Sequence, residues 1–154
     1  MKKLLLSPAE EEILKLEWRG MSSAEMAAKL GKKIANVSKT KGSIRRKINE
    51  GLEHLARSLQ LDYEDLSNKD GRAALKGYHF AIDTQVYLFF TIKDGFIAWY
   101  RHDNCLRDDS RHQKCQDGLE LLKTERKIPV MEGKDMSGEW EQVWKWIELE
   151  GEQS

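Results

Sequence analysis

Four residues in the second half of the chain have types and spacings suited to metal chemistry. His102-Asp103-Asn104-Cys105 and His112-Gln113-Lys114-Cys115 are two H-x-x-C pairs separated by six residues. They use both cysteines of the chain and two of its four histidines. Thiolate and imidazole are ligands that zinc favours in a tetrahedral shell, and two-residue spacers bring paired ligands to one ion. The pattern predicts one zinc per chain held by His102, Cys105, His112 and Cys115. Four protein ligands would close the shell and leave no position for a reacting water, so the expected role is structural or sensing. The His-Cys, His-Cys order is not the common finger order. A disulfide between Cys105 and Cys115 is an alternative, and iron suits this ligand set less well. His54 and His79 have no partner by spacing, and Trp140, Trp144 and Trp146 read as packing or interface residues.

A second group of residues carries charge. From Lys32 to Lys47 there are seven basic residues (Lys32, Lys33, Lys39, Lys41, Arg45, Arg46 and Lys47) and no acid. Residues 1–60 hold 13 Lys or Arg against 7 Asp or Glu, and residues 61–154 hold 13 against 19, so a formal net charge of zero conceals a basic front and an acidic back. A basic segment of this kind points to a polyanionic partner. The sequence contains no phosphate-binding loop, nucleophile elbow or metalloprotease pair, and its carboxylates are scattered, so no enzyme is expected. No apolar run reaches bilayer-spanning length, and Leu4-Leu5-Leu6 stops at Ser7-Pro8, too short for a secretory signal. The expected location is cytoplasmic.

The elements that must position these groups follow from caps and periodicity. Ser7-Pro8-Ala9-Glu10 is a capping box with proline at the first helical position. Ile13, Leu14 and Leu16 supply that helix's apolar stripe. Ser22 or Ser23 starts a second helix that carries Met26, Ala27 and Leu30 and ends at Gly31. A third begins near Ile34 with Val37, Ile44 and Ile48 at helical spacing, and Leu52, Leu55, Ala56 and Leu59 continue as a fourth helix to about Gln60. Residues 62–77 are acidic, with Gly and Ser, and read as a linker. After Gly77 the period shortens. Val86 to Ile92 and Phe96 to Tyr100 form a hairpin turning at Asp94-Gly95, which sets Ile92 opposite Ile97 and Phe90 opposite Trp99. Tyr78 to Ile82 is a candidate third strand. Residues 116–126 and 138–149 are expected helices, the last presenting Trp140, Val143, Trp144 and Ile147 on one face. The fold class is therefore α+β: a helical domain over 1–61, a linker over 62–77, and over 78–154 an antiparallel hairpin with helices and a zinc knuckle.

Leu6-Ser7-Pro8, Glu12-Ile13-Leu14, Gly20-Met21-Ser22, Glu25-Met26-Ala27, Leu30, Val37, Ile44 and Arg46-Lys47-Ile48 together resemble the LuxR/GerE-type and sigma-factor region-four helix-turn-helix families. Within that group, Ala35-Asn36-Val37-Ser38 looks most like the archaeal Tfx-type regulators. The resemblance covers about the first third of the chain. It implies a trihelical fold that binds double-stranded DNA and regulates transcription. Lys32 and Lys41 depart from it, standing where those families usually place an apolar residue, and Gly42 lies inside the third helix.

A helix fits the major groove, where base edges present distinct donor and acceptor patterns. With Val37, Ile44 and Ile48 turned inward, Asn36, Ser38, Lys39 and Ser43 face the groove and Gly42 permits close approach. Lys33, Arg45 and Arg46 suit phosphates, with Lys32 and Lys47 beside them. Leu52, Leu55, Leu59 and the tryptophan face point to a homodimer reading two half-sites. The alternative is a zinc-stabilised interaction module that docks on transcription machinery without reading sequence.

Overall fold

Each of the first two helices begins with a serine that satisfies its own end. The computed structural model describes residues 5–101, 110–128 and 139–146, the side chains of 64, 65 and 110–115 excepted. Ser7 caps α1 (Pro8–Trp18): its side chain accepts from Glu10 N at 3.2 Å, and the Glu10 carboxylate accepts from Ser7 N at 3.0 Å. Ser22 and Glu25 repeat this box at α2 (Ser23–Leu30), which ends on Gly31 at a φ of 64°. Ile13 and Leu14, Met26 and Ala27, and Val37, Ile44 and Ile48 are buried in one cluster, as the periodicity requires.

The third helix runs further than expected. α3 (Ile34–Ser58) is a single 25-residue helix that absorbs the segment read as a fourth. Proline is absent from this stretch, and Gly51 is kept within the helix by close packing, because a Cβ there would lie 2.5 Å from the Phe96 ring. The supposed linker is also regular structure. Asp62–Lys69 forms β1 and Arg72–His79 forms β2. They join through Asp70-Gly71, whose φ values of 54° and 84° match the type I′ turn that Asp-Gly favours. The acidic residues obscured this hairpin. Burial of Ala73, Ala74 and Leu75 in an inner strand outweighs their weak intrinsic preference.

The sheet has the order β1-β2-β3-β4, antiparallel throughout. A 3-10 turn at Phe80–Ile82 replaces the continuation of the expected Tyr78–Ile82 strand and leads into β3 (Thr84–Thr91). β3 and β4 (Gly95–Tyr100) form the expected hairpin in a different register: Thr91 pairs with Gly95, Phe90 with Phe96 and Tyr87 with Trp99. Three residues, Ile92-Lys93-Asp94, make the loop, and Gly95 follows at a φ of 73°. Thr91 decides the geometry, its hydroxyl donating to Gly95 O at 2.7 Å and accepting from Asp94 N at 3.1 Å. From across the sheet, the Glu125 carboxylate accepts from Ile92 N and Lys93 N at 2.9 and 3.1 Å.

Helices cover both faces of this sheet. Ala73, Leu75, Val86, Leu88 and Phe90 join the cluster formed by α1, α2 and α3. Ala74, Tyr87, Phe89 and Trp99 face the other way. They pack on Leu119 and Leu122 of α4 (Ser110–Arg126) and on Trp140, Val143 and Trp144 of α5 (139–146). Ile147 lies outside the described residues. β3 is buried continuously from Val86 to Thr91, which explains its unbroken apolar sequence. The three N-terminal helices therefore share a core with the sheet.

The β1–β2 turn secures this junction. Trp18 Nε1 donates to Asp70 O at 2.8 Å, and the Arg72 guanidinium lies 5.2 Å from the centre of the Trp18 ring system. Asn68 donates to Asn49 Oδ1 of α3 at 2.7 Å and accepts from Gly71 N at 2.8 Å.

Candidate nucleic-acid interface

The inward stripe of α3 determines which residues face outward. Opposite Val37, Ile44 and Ile48 runs the line Ala35, Lys39, Gly42 and Arg46, all exposed and spaced by four, three and four residues. Asn36 and Ser38 flank it, exposed, and Ser43 is half-buried beside it. The first acid in α3 is Glu50, so the acid-free stretch from Ile34 to Asn49 spans about 23 Å of helix. Gly42 belongs wholly to this open side: a Cβ there would meet nothing within 4 Å. The fold therefore has no packing need for a residue that costs a helix interior about 1 kcal/mol relative to alanine.

Tertiary contacts divide the seven basic residues. Lys47 binds Glu10 of α1 through both carboxylate oxygens, at 2.7 and 2.9 Å. Burial would raise the Glu10 pKa. Hydrogen bonds from Lys47 and from the Ser7 backbone and side chain, with the Lys47 charge, outweigh that and hold it below the usual value. Lys41, one of the two departures from the helix-turn-helix pattern, lies 2.7 Å from Glu17 and donates to Ser23 Oγ at 3.2 Å. It ties α3 to α1 and α2 where an apolar residue was expected. Arg45 pairs with Asp70 at 3.2 Å across an exposed surface. Among the described residues, Lys32, Lys33, Lys39 and Arg46 have no acidic partner. The uniform positive run in the sequence thus becomes three matched and four unmatched charges.

The start of α3 differs from the other two starts. Lys33 occupies the N-cap position and makes no side-chain capping bond, and the first turn holds no acid. Lys32 precedes it, so cations stand beside the positive end of the helix dipole where α1 and α2 place glutamates. All seven residues assigned to DNA from the sequence, Lys33, Asn36, Ser38, Lys39, Ser43, Arg45 and Arg46, lie on α3 or at its cap. Arg45 has an internal partner. Ile34 escaped that assignment: it stands one turn before Val37 and so belongs to the apolar stripe by periodicity, yet at the helix start its side chain lies in solvent, which only the structure reveals.

The candidate metal ligands divide differently. His102 and Cys105 lie outside the described residues. α4 begins at 110, six residues before its expected start, so His112 and Cys115 are both within its backbone, while their side chains lie outside the description. No group of three or more His, Cys, Asp or Glu suited to a metal ion occurs among the described residues. The residues offered for dimerisation are used within the chain: Leu52 is buried, Leu55 and Leu59 pack against the same core, and Trp140 and Trp144 are buried on the sheet. No helix among the described residues is long and apolar enough to cross a membrane. Against known proteins, no family model, curated sequence or solved structure matches this chain.

Proposed function

We propose that this chain is a sequence-specific DNA-binding regulator of transcription. In this reading α2 and α3 form a helix-turn-helix, and the first turns of α3 enter the major groove. The observation that carries it is the outward line Ala35-Lys39-Gly42-Arg46. It combines unmatched cations, small residues and a glycine without a packing role, on the outward face of the first half of α3. Lys39, Asn36, Ser38 and Ser43 face bases; Lys33, Arg45 and Arg46 face phosphates. The Arg45–Asp70 pair is an exposed contact of a kind worth about 0–1 kcal/mol, little obstacle to exchange for a phosphate.

The test is binding to random and to selected duplexes across a salt series. Lys33→Ala and Arg46→Ala should weaken binding to all duplexes alike and reduce the salt slope by about one each. Lys39→Ala should cost roughly 1–3 kcal/mol on the selected site and less on random DNA. Lys41→Ala, on the matched side, should lower stability and leave the slope unchanged. Unaltered binding in all the α3 variants would put the interaction-module reading ahead, with transcription machinery as the partner. Because one helix offers few phosphate contacts, two copies per site are expected, checked by sedimentation of the protein–DNA complex at micromolar concentration.

The H-x-x-C pairs extend the proposal to one zinc per chain, structural or sensing, held by His102, Cys105, His112 and Cys115. Elemental analysis of protein purified without added metal or chelator should find one equivalent, reduced by Cys105→Ser or Cys115→Ser.

A further inference from the structure

Ile34 is the first residue of α3 and is 55% exposed. It belongs to neither core cluster, and a β-branched residue at a helix start brings no gain in helix propensity. The corresponding turns of α1 and α2 contain Glu10, Glu11 and Glu25, which favour the helix dipole; the first turn of α3 contains no acid. That turn is Ile34-Ala35, an apolar tip flanked by the exposed Lys33 and Asn36. Such a combination is poor for water alone. It suits a surface that is polyanionic around its edges and locally apolar at one point. In the major groove, thymine presents such a point, its C5 methyl group, and the residues at the start of an inserted helix are those that meet base edges.

We infer that Ile34 contacts a thymine methyl, so that an A·T pair stands opposite the first turn of α3 in each half-site. This rests on the DNA-binding reading above and names part of the sequence it selects. The decisive probe is a selected duplex in which single thymines are replaced by deoxyuridine, which removes the methyl and keeps the base-pairing edge. At one thymine per half-site the replacement should weaken wild-type binding about fourfold, the loss associated with one buried methyl-sized group. Ile34→Ala, which removes the contact in both half-sites, should weaken binding to the parent site by about the square of that factor, roughly fifteenfold, and be indifferent to the replacement. Its affinity for random duplex and its melting temperature should be unchanged, since the side chain is outside the core. Lys39→Ala should keep the sensitivity to methyl removal. Wild-type protein that selects a sequence yet is insensitive to deoxyuridine at every position would overturn the inference and leave the DNA reading standing. Sensitivity that persists in Ile34→Ala would also overturn it, assigning the methyl contact to another residue. Absence of binding to any duplex would remove both.

Discussion

Gly42 and Gly51 stand on the same helix, and a Cβ would meet nothing within 4 Å at the first but the Phe96 ring at 2.5 Å at the second. Around Gly51, α3 is pressed against β4, and Leu52 and Ala56 are fully buried. Around Gly42 the helix shows solvent a face of small residues, hydroxyls and cations. The same amino acid is thus required by packing in one half of α3 and left without a packing role in the other. A helix can pack one face into a core along most of its length while keeping another face clear near its start, and in the proposed reading that clear face meets the ligand.

The largest expected effect tests the packed half. Gly51→Ala should destabilise the fold by about 1–3 kcal/mol in denaturant melts, because the Phe96 ring lies against Phe90 with centroids 5.6 Å apart and must shift to admit a methyl. Phe96→Leu introduced together with it should recover part of that loss. Full tolerance of Gly51→Ala would show that the α3–β4 contact is looser than described.

A smaller effect tests what anchors the open half. Glu10→Gln should cost about 1–2 kcal/mol near neutral pH by weakening charge-assisted bonds to Lys47. The sign of the pH dependence follows from the lowered Glu10 pKa. Below the usual glutamate value near 4.3, the unfolded chain takes up this proton before the folded one does. This contribution is therefore present above that range and lost as pH falls through the folded-state value. The difference in stability between wild type and Glu10→Gln should shrink on acidification over that window. A constant difference would mean that the charge on Glu10 contributes nothing.

Smallest in stability and most telling for function is Gly42→Ala. It should raise stability by up to about 1 kcal/mol while weakening DNA binding, because the added methyl occupies the side that approaches the groove. Raised stability with unchanged DNA affinity would leave Gly42 without a role at the interface.

Much of the helical half was legible because its signals are local. The capping box at Ser7, a capping serine at 22 or 23, and the stripe Val37, Ile44, Ile48 involve neighbours within a few turns, and the structure selects Ser22. The candidate interface was legible to the same extent, since facing outward on α3 is the complement of facing inward. The β1–β2 hairpin was missed although Asp70-Gly71 is a strong turn signal, because the acidic residues before it resemble a linker. The β3–β4 register was missed because Asp94-Gly95 also permits a two-residue turn, and the bonds of Thr91 select the three-residue loop instead.

By itself the sequence determined where the first three helices begin, which of their faces are apolar, that residues 86–100 form a hairpin, and that basic residues concentrate in α3. These follow from dihedral preference, capping and periodicity, all set by nearby residues. Only the tertiary structure decided that Lys41, Arg45 and Lys47 meet Glu17, Asp70 and Glu10 while Lys39 and Arg46 meet no acid among the described residues. It alone placed Trp140 and Trp144 against the sheet and left Ile34 in solvent. The reason is that a charge or an apolar side chain acquires its partner across tens of residues, and that choice depends on how the layers stack.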